Sequence, residues 1–224
     1  MTGSAESPPK DKVYLRGGEE FSRVLAFSDG LFAIAMTLLV VGITVPAVDE
    51  IGNVDSVSDL ADALNDQGEQ IITFFISFAV IGRYWVAHHQ MFSLLRGFDR
   101  GMVTLNLVYL AFIAFVPFPT ALLGAYFDNP LSVAVYAVTV AIVSGLEVLL
   151  LRHARRAGLL EKDMPDDVYR WGTVLSTTPV ALFLISIPVA FVGSGWAVAV
   201  WMLNAPVGIY ADRHAPEGFD EYFS

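Results

Sequence analysis

Residues 103–123 read VTLNLVYLAFIAFVPFPTALL and hold no charged side chain from end to end. A helix on the surface of a soluble protein carries a polar face, and this stretch has none. A helix needs about 20 mostly apolar residues to cross the hydrocarbon core, so the segment reads as the heart of a membrane span over Met102–Tyr126. Working outward, five more blocks have the same character: Arg23–Val45, Gln70–Leu95, Leu131–Leu151, Trp171–Val192 and, shortest, Trp196–Tyr210. The 224 residues are 55% hydrophobic and only 16% charged, where soluble domains carry about 25% charged residues. The mean hydropathy is +0.57. A soluble bundle of buried helices fits this poorly. The runs are also too long and lack the alternation of a membrane β-barrel. The expected fold is an all-α integral membrane protein with six transmembrane helices per subunit. Residues 1–22 form an N-terminal segment, 23–210 the membrane domain and 211–224 a tail.

The 13 Lys and Arg fix the expected orientation. Lys10, Lys12, Arg16 and Arg23 lie before or at the start of span one, and Arg96 and Arg100 between spans two and three. Arg152, Arg155, Arg156, Lys162 and Arg170 lie between spans four and five, and Arg213 after span six. Only Arg83 falls inside a span, and the other three loops have no Lys or Arg. This positive-inside pattern places both termini in the cytoplasm. The first outer loop is acidic instead, with Asp49, Glu50, Asp55, Asp59, Asp62, Asp66 and Glu69. It reads either as a solvated loop with a short amphipathic helix over Val57–Leu64, or as a negative vestibule that concentrates cations. A net charge of −10 argues against nucleic acid as a partner. Without cysteine there is no disulfide and no thiolate metal site. The polar start, with Pro8, Pro9, Gly17 and Gly18, lacks the apolar core of a signal peptide, so span one is expected to remain as a helix. The tail from Asp212 is acidic and expected to be flexible.

Ionisable groups inside a span are functional candidates by default. Asp29 lies roughly 9 Å in from the cytoplasmic end of span one, His89 roughly 10 Å in on span two and Asn106 roughly 9 Å in on span three. Three helices thus bring polar groups to one depth, where an unpaired carboxylate costs several kcal/mol. The economical solution is a network of Ser28, Asp29, His88 or His89, and Asn106, with the Trp85 indole as a nearby donor. Such a network can simply lock helices, can sense pH through histidine, or, less in keeping with the spacing, can hold a metal. Arg83 and Glu147 are the other intramembrane charges, at depths that do not clearly match.

The segment Arg23–Val45, RVLAFSDGLFAIAMTLLVVGITV, opens with Arg23, Phe27, Ser28 and Asp29 in an Arg-x-x-x-Phe-Ser-Asp pattern. This resembles the signature of the endosomal and lysosomal potassium channel family called transmembrane protein 175, its prokaryotic members above all. Tyr84, Trp85, His88 and His89 are similar to the family's Tyr-Trp-x-x-His-His pattern. Leu105–Asn106 and the Pro117, Phe118, Pro119, Thr120 turn are similar to its third span. The likeness is sharp over spans one to three and loose beyond. Eukaryotic members carry two six-span repeats, whereas this chain has one.

The resemblance implies a homotetramer in the plasma membrane, with a central pore lined by the first helix of each subunit. It implies a leak-type, potassium-permeable channel without a Thr-Val-Gly-Tyr-Gly carbonyl filter. That string is absent from the sequence, as is any arginine ladder of a voltage sensor. Ile34, Leu38 and Val41 fall on one helical stripe, at i, i+4 and i+7. Taken alone, such a stripe packs on a neighbouring helix. The resemblance places Ile34 at the main hydrophobic constriction, Leu38 and Val41 at further apolar layers, and Thr37 beside them. A ring of isoleucines offers no oxygen ligands, so an ion passes with part of its hydration stripped. Potassium holds water less tightly than sodium, which makes the barrier a weak potassium sieve. The transported ion is K+, and no cofactor is expected. A secondary transporter for a small cation is the alternative, though span one has no Gly or Pro break at mid-depth. An intramembrane enzyme built on Asp29 and the histidines lacks a nucleophile or a metal motif.

Overall fold

A computed structural model of the chain describes residues 13–49, 51–53 and 55–223. Lys10, Lys12, Pro8, Pro9 and the loop residue Glu50 lie outside the described residues. In chain order the elements are strand β1 (Tyr14–Leu15), helix α1 (Glu19–Leu38) running into a 3-10 turn (Leu39–Gly42), α2 (Val57–Asn65), α3 (Gly68–Ser93), strand β2 (Gly97–Phe98), α4 (Arg100–Phe115), α5 (Pro117–Ala125), α6 (Pro130–Arg156), α7 (Asp166–Ala190), α8 (Ser194–Met202), α9 (Asn204–Arg213) and α10 (Asp220–Phe223).

Among the described residues, five helical stretches are long and apolar enough to cross a membrane: 19–42, α3, 100–125, α6 and α7. They match the first five expected spans. The expected sixth span, Trp196–Tyr210, is instead two short helices, α8 and α9, that meet at Leu203. Pro206 lacks the N–H that would bond back to Met202, and Asn204 Nδ2 donates to the Trp201 carbonyl at 2.9 Å. The third span has a similar seam. Pro117 and Pro119 cannot donate into the helix, and the chain compensates by tightening, with Val116 N–H donating to the Ile113 carbonyl at 3.2 Å.

Helix α6 is the mast of the bundle, flanked by α4 and α7, while α3 packs on α5 and α1 lies against α3 and α4. Tyr136 of α6, Phe183 of α7 and Trp201 of α8 form one aromatic cluster with centroids 4.9–6.3 Å apart. The Trp201 indole donates to Ser186 Oγ at 2.7 Å, which seats α8 on α7. Asn129 caps α6 by accepting the Leu131 N–H at 2.9 Å, and His153, Arg155 and Arg156 complement the dipole in its last turn. Gly158, at φ +63°, ends α6 in a Schellman turn: Leu159 N–H reaches the Ala154 carbonyl at 2.9 Å and Gly158 N–H that of Arg155 at 3.2 Å.

The basic end of the bundle is tied by its own loops. Tyr14 and Leu15 pair with Phe98 and Gly97. A side chain at Gly97 would strike the Tyr14 carbonyl, whose oxygen lies 2.6 Å from where a Cβ would sit. The Arg16 guanidinium donates to the Ser93 carbonyl at 2.7 Å and pairs with Glu161 at 2.8 Å. The tail is not loose: Phe219 is buried and the Tyr222 hydroxyl donates to the Asp163 carbonyl at 3.0 Å. At the acidic end, α2 matches the short amphipathic helix read from Val57–Leu64. The Ser56 hydroxyl donates to Asp59 Oδ1 at 2.8 Å, and Asp59 Oδ2 accepts the Asn53 N–H at 2.9 Å. These bonds, the Ser56 hydroxyl first, hold the Asp59 carboxyl below its ordinary 3.8. The folded value is depressed, so the cap holds at higher pH and is lost as pH falls through that value. A carbon-NMR titration is expected to give an Asp59 midpoint below 3.8, and Ser56→Ala to move it upward.

Candidate functional site

Helix α1 has two faces of opposite fate. Phe21, Ser28, Phe32, Ala35 and Leu39 point into the subunit. Arg23, Phe27, Ile34, Thr37, Leu38 and Val41 lie on the other side and stay exposed. The contrast is large: Ile34 and Val41 are 60% and 73% exposed, against 0% for Phe32 and 2% for Leu39. The Thr37 hydroxyl donates to the Ile34 carbonyl at 2.8 Å, so it serves the helix backbone. Arg23 lies 3.8 Å from Glu20, one turn back.

The polar residues expected as one network form two groups. In the buried group Asn106 is the hub. Its Nδ2 donates to Ser28 Oγ at 3.0 Å, Ser28 passes its proton on to the Val24 carbonyl at 3.0 Å, and Asn106 Oδ1 sits 2.9 Å from His88 Nε2. Because Oδ1 can only accept, His88 carries its proton on Nε2. The imidazole is sandwiched between Phe92, at 4.0 Å, and Tyr109, at 5.5 Å. Further along, Phe98 makes an edge contact with Phe92 at 5.3 Å and stacks on Phe21 of α1 at 4.2 Å. The second group is more exposed: the Trp85 indole donates to Asp29 Oδ1 at 3.0 Å, and His89 lies beside Trp85 with ring centroids 6.0 Å apart. Asp29 thus pairs with Trp85, because Ser28 and Asp29 project about 100° apart on the helix. Asp29→Ala removes the acceptor of this exposed indole, and is expected to cost about 0.5–1.5 kcal/mol. Asp29→Asn keeps an acceptor and should retain the wild-type melting temperature in detergent.

Among the described residues, Arg83 and Glu147 make no ion pair with each other. Nearby, the Tyr84 and Ser144 hydroxyls are 2.5 Å apart. Other polar contacts escaped the sequence reading altogether. Thr120 Oγ1 donates to Ser77 Oγ at 2.9 Å, and Ser77 donates to the Tyr136 hydroxyl at 3.1 Å, joining α5, α3 and α6. His153 Nε2 lies 2.9 Å and 3.0 Å from the two oxygens of Asp99, the N-cap of α4. Aspartate followed by a helix is a recognisable cap signal, but its histidine partner is 54 residues away.

Comparison with known proteins bears on the family and the fold. Residues 23–117 match the family described as endosomal/lysosomal potassium channel TMEM175. A potassium channel from Streptomyces collinus is 40% identical over 145 residues, which cover 63% of this chain and 68% of that one. A potassium channel from Chamaesiphon minutus is 37% identical over 182 residues, covering 75% and 86%. The crystal structure of a lysosomal potassium-selective channel TMEM175 homolog from Chamaesiphon minutus superposes with a TM-score of 0.72 at 30% identity, over 87% of this chain and 99% of that one. Kinship therefore reaches well past the matched signature into α6 and α7, and this multi-pass membrane protein belongs to the endosomal/lysosomal potassium channel TMEM175 family.

Proposed function

We propose that the chain is a potassium-permeable, leak-type cation channel in the plasma membrane. It is a homotetramer whose central pore is lined by the exposed stripe of α1. Ile34 forms the constriction, Leu38 and Val41 the further apolar layers, and Thr37 stands beside them. The basic end of the bundle faces the cytoplasm, by the positive-inside rule. The observation that carries this reading is the two-faced α1. Phe32 and Leu39 are given to the subunit core, while Ile34, Leu38 and Val41 are left outside it. One α1 cannot enclose a pore, and closed cyclic symmetry lets identical stripes do so. That the named relatives are potassium channels supports reading Asp29 and the histidines as scaffold rather than as a catalytic site. Among the described residues, the contacts of Ser28, Asn106 and His88 fix α1 to α3 and α4 and thereby aim the stripe.

Selection in such a pore comes from partial dehydration at an apolar ring, with no oxygen cage to replace the lost water. Two measurements test the reading. Mass in mild detergent is expected to give a tetramer, and a stable monomer or dimer contradicts it. Bilayer recording under potassium and sodium gradients is expected to show unitary currents that persist without a voltage trigger. Slow, saturating flux would mark a transporter.

A further inference from the structure

The outer end of α1 is held by a side chain that does not line the stripe. At Leu39 the helix tightens into a 3-10 turn, which carries Val41 and ends at Gly42. Beyond it Ile43 is already extended, at φ −90° and ψ 115°. The turn's own ladder ends with the Ile43 N–H on the Val40 carbonyl at 3.1 Å. What then fixes the chain is Gln70, in the first turn of α3. Its Oε1 accepts the Thr44 N–H at 2.9 Å and the Thr44 hydroxyl at 3.2 Å, and the same hydroxyl reaches Gln67 Oε1 at 3.1 Å.

Two glycines make the fit close. A Cβ on Gly42 would lie 3.0 Å from Ala121 Cβ of α5, and one on Gly124 would lie 3.0 Å from Gln70 Cα. The 3-10 turn is therefore pressed onto α5, and α5 in turn seats the residue that holds the turn. Below this level, Thr120, Ser77 and Tyr136 join α5, α3 and α6. The platform under Gln70 is thus tied to three helices, while Val41 is held mainly through its neighbours.

We infer that Gln70 is a positioning residue for the pore: by holding Thr44 it sets how far Val41, and Leu38 about one turn below, project toward the pore axis. This rests on the reading that the α1 stripe lines the pore. An apolar constriction selects and gates by its width, so a small outward swing of this turn lowers the dehydration barrier. Sodium, which holds its water more tightly, gains more from that than potassium does.

The test is bi-ionic reversal potentials of the full-length channel in planar bilayers, with tetramer mass measured alongside. Gln70→Leu keeps the bulk and removes the acceptor. It is expected to assemble normally and to move the reversal potential toward that of an unselective pore. Gln70→Glu keeps an acceptor oxygen and is expected to restore the wild-type value. Added charge at the mouth concentrates both cations alike, so the permeability ratio remains the readout. Ile34→Asn is the control for the stripe itself. If Ile34→Asn changes selectivity and Gln70→Leu does not, the positioning role is overturned and the pore reading stands. If Ile34→Asn is silent, the stripe is not the pore lining and both readings fall. Should Gln70→Leu not assemble, Gln70→Met decides, since its unbranched side chain is close in length and lacks the oxygen that holds both the Thr44 N–H and hydroxyl. A lower potassium preference supports the role, and an unchanged one overturns it.

Discussion

Ile34→Asn is expected to lower the potassium preference severalfold and raise sodium permeability, with the tetramer intact. The side chain is 60% exposed on its own subunit, so its replacement leaves no hole in the core. In the proposed ring, amide groups would take the place of isoleucine side chains. They ligand ions and hold water, so the dehydration barrier falls, and it falls most for sodium. Leu39→Asn is the control. Leu39 is only 2% exposed and faces into the subunit. Its loss removes about 1.5–3 kcal/mol of apolar burial, and an amide left without a partner there adds about 1–3 kcal/mol more. Leu39→Asn should therefore lower thermal stability and leave selectivity nearly unchanged. Reversal potentials and detergent melting curves, taken on both variants, separate the two effects. Unchanged selectivity in Ile34→Asn, or a larger change in Leu39→Asn, would mean that another face of α1 meets the ion.

The second large effect is expected at Asn106. Asn106→Leu keeps the branched shape of the side chain but removes the hub between Ser28 and His88. Ser28 keeps its bond to the Val24 carbonyl at 3.0 Å. His88 Nε2 is left with its proton and no acceptor, in a stack of aromatic rings. A buried donor stranded in this way costs about 1–3 kcal/mol, and the link between α1, α3 and α4 goes with it. The expected result is a clear drop in melting temperature and in tetramer recovery. Asn106→Asp should restore part of it, since a carboxylate still accepts from His88. Equal stability of Asn106→Leu and wild type would show that the three residues do not tie α1 down.

Much of this architecture was legible in the chain, and the reasons are physical. Spans one to five announce themselves because a membrane helix must be apolar over a fixed length, and 103–123 satisfies that without a single charge. The depths of Asp29, His89 and Asn106 followed from helical rise alone, and of the network drawn from them the structure brings Ser28, His88 and Asn106 together. The choice of partner for Asp29 did not follow, because depth carries no information on rotation about the helix axis. Trp85 and His88 stand one turn apart on α3, and only packing decides which of them meets the carboxylate. The break at Leu203 was hidden by an apolar run in which only Pro206 hinted at it. The bonds among Ser77, Thr120 and Tyr136 were invisible for a different reason. Hydroxyls in a helix usually bond to their own backbone, and nothing local distinguishes those that reach across.

Helix α1 is fastened at its middle, by Ser28 on Asn106 at 3.0 Å, and the chain just past its 3-10 turn is fastened by Thr44 on Gln70 at 2.9 Å. A rod pinned at two points on one side cannot spin about its long axis. Turning it far enough to swap Ile34 for Ala33 would demand about 100° and would break both fastenings together. Width in a pore of such rods is then a matter of leaning and sliding whole subunits, with each stripe carried along unrotated. The same apolar side chains would face the ion in the wide state and in the narrow one, and the channel would change its conductance without changing its lining.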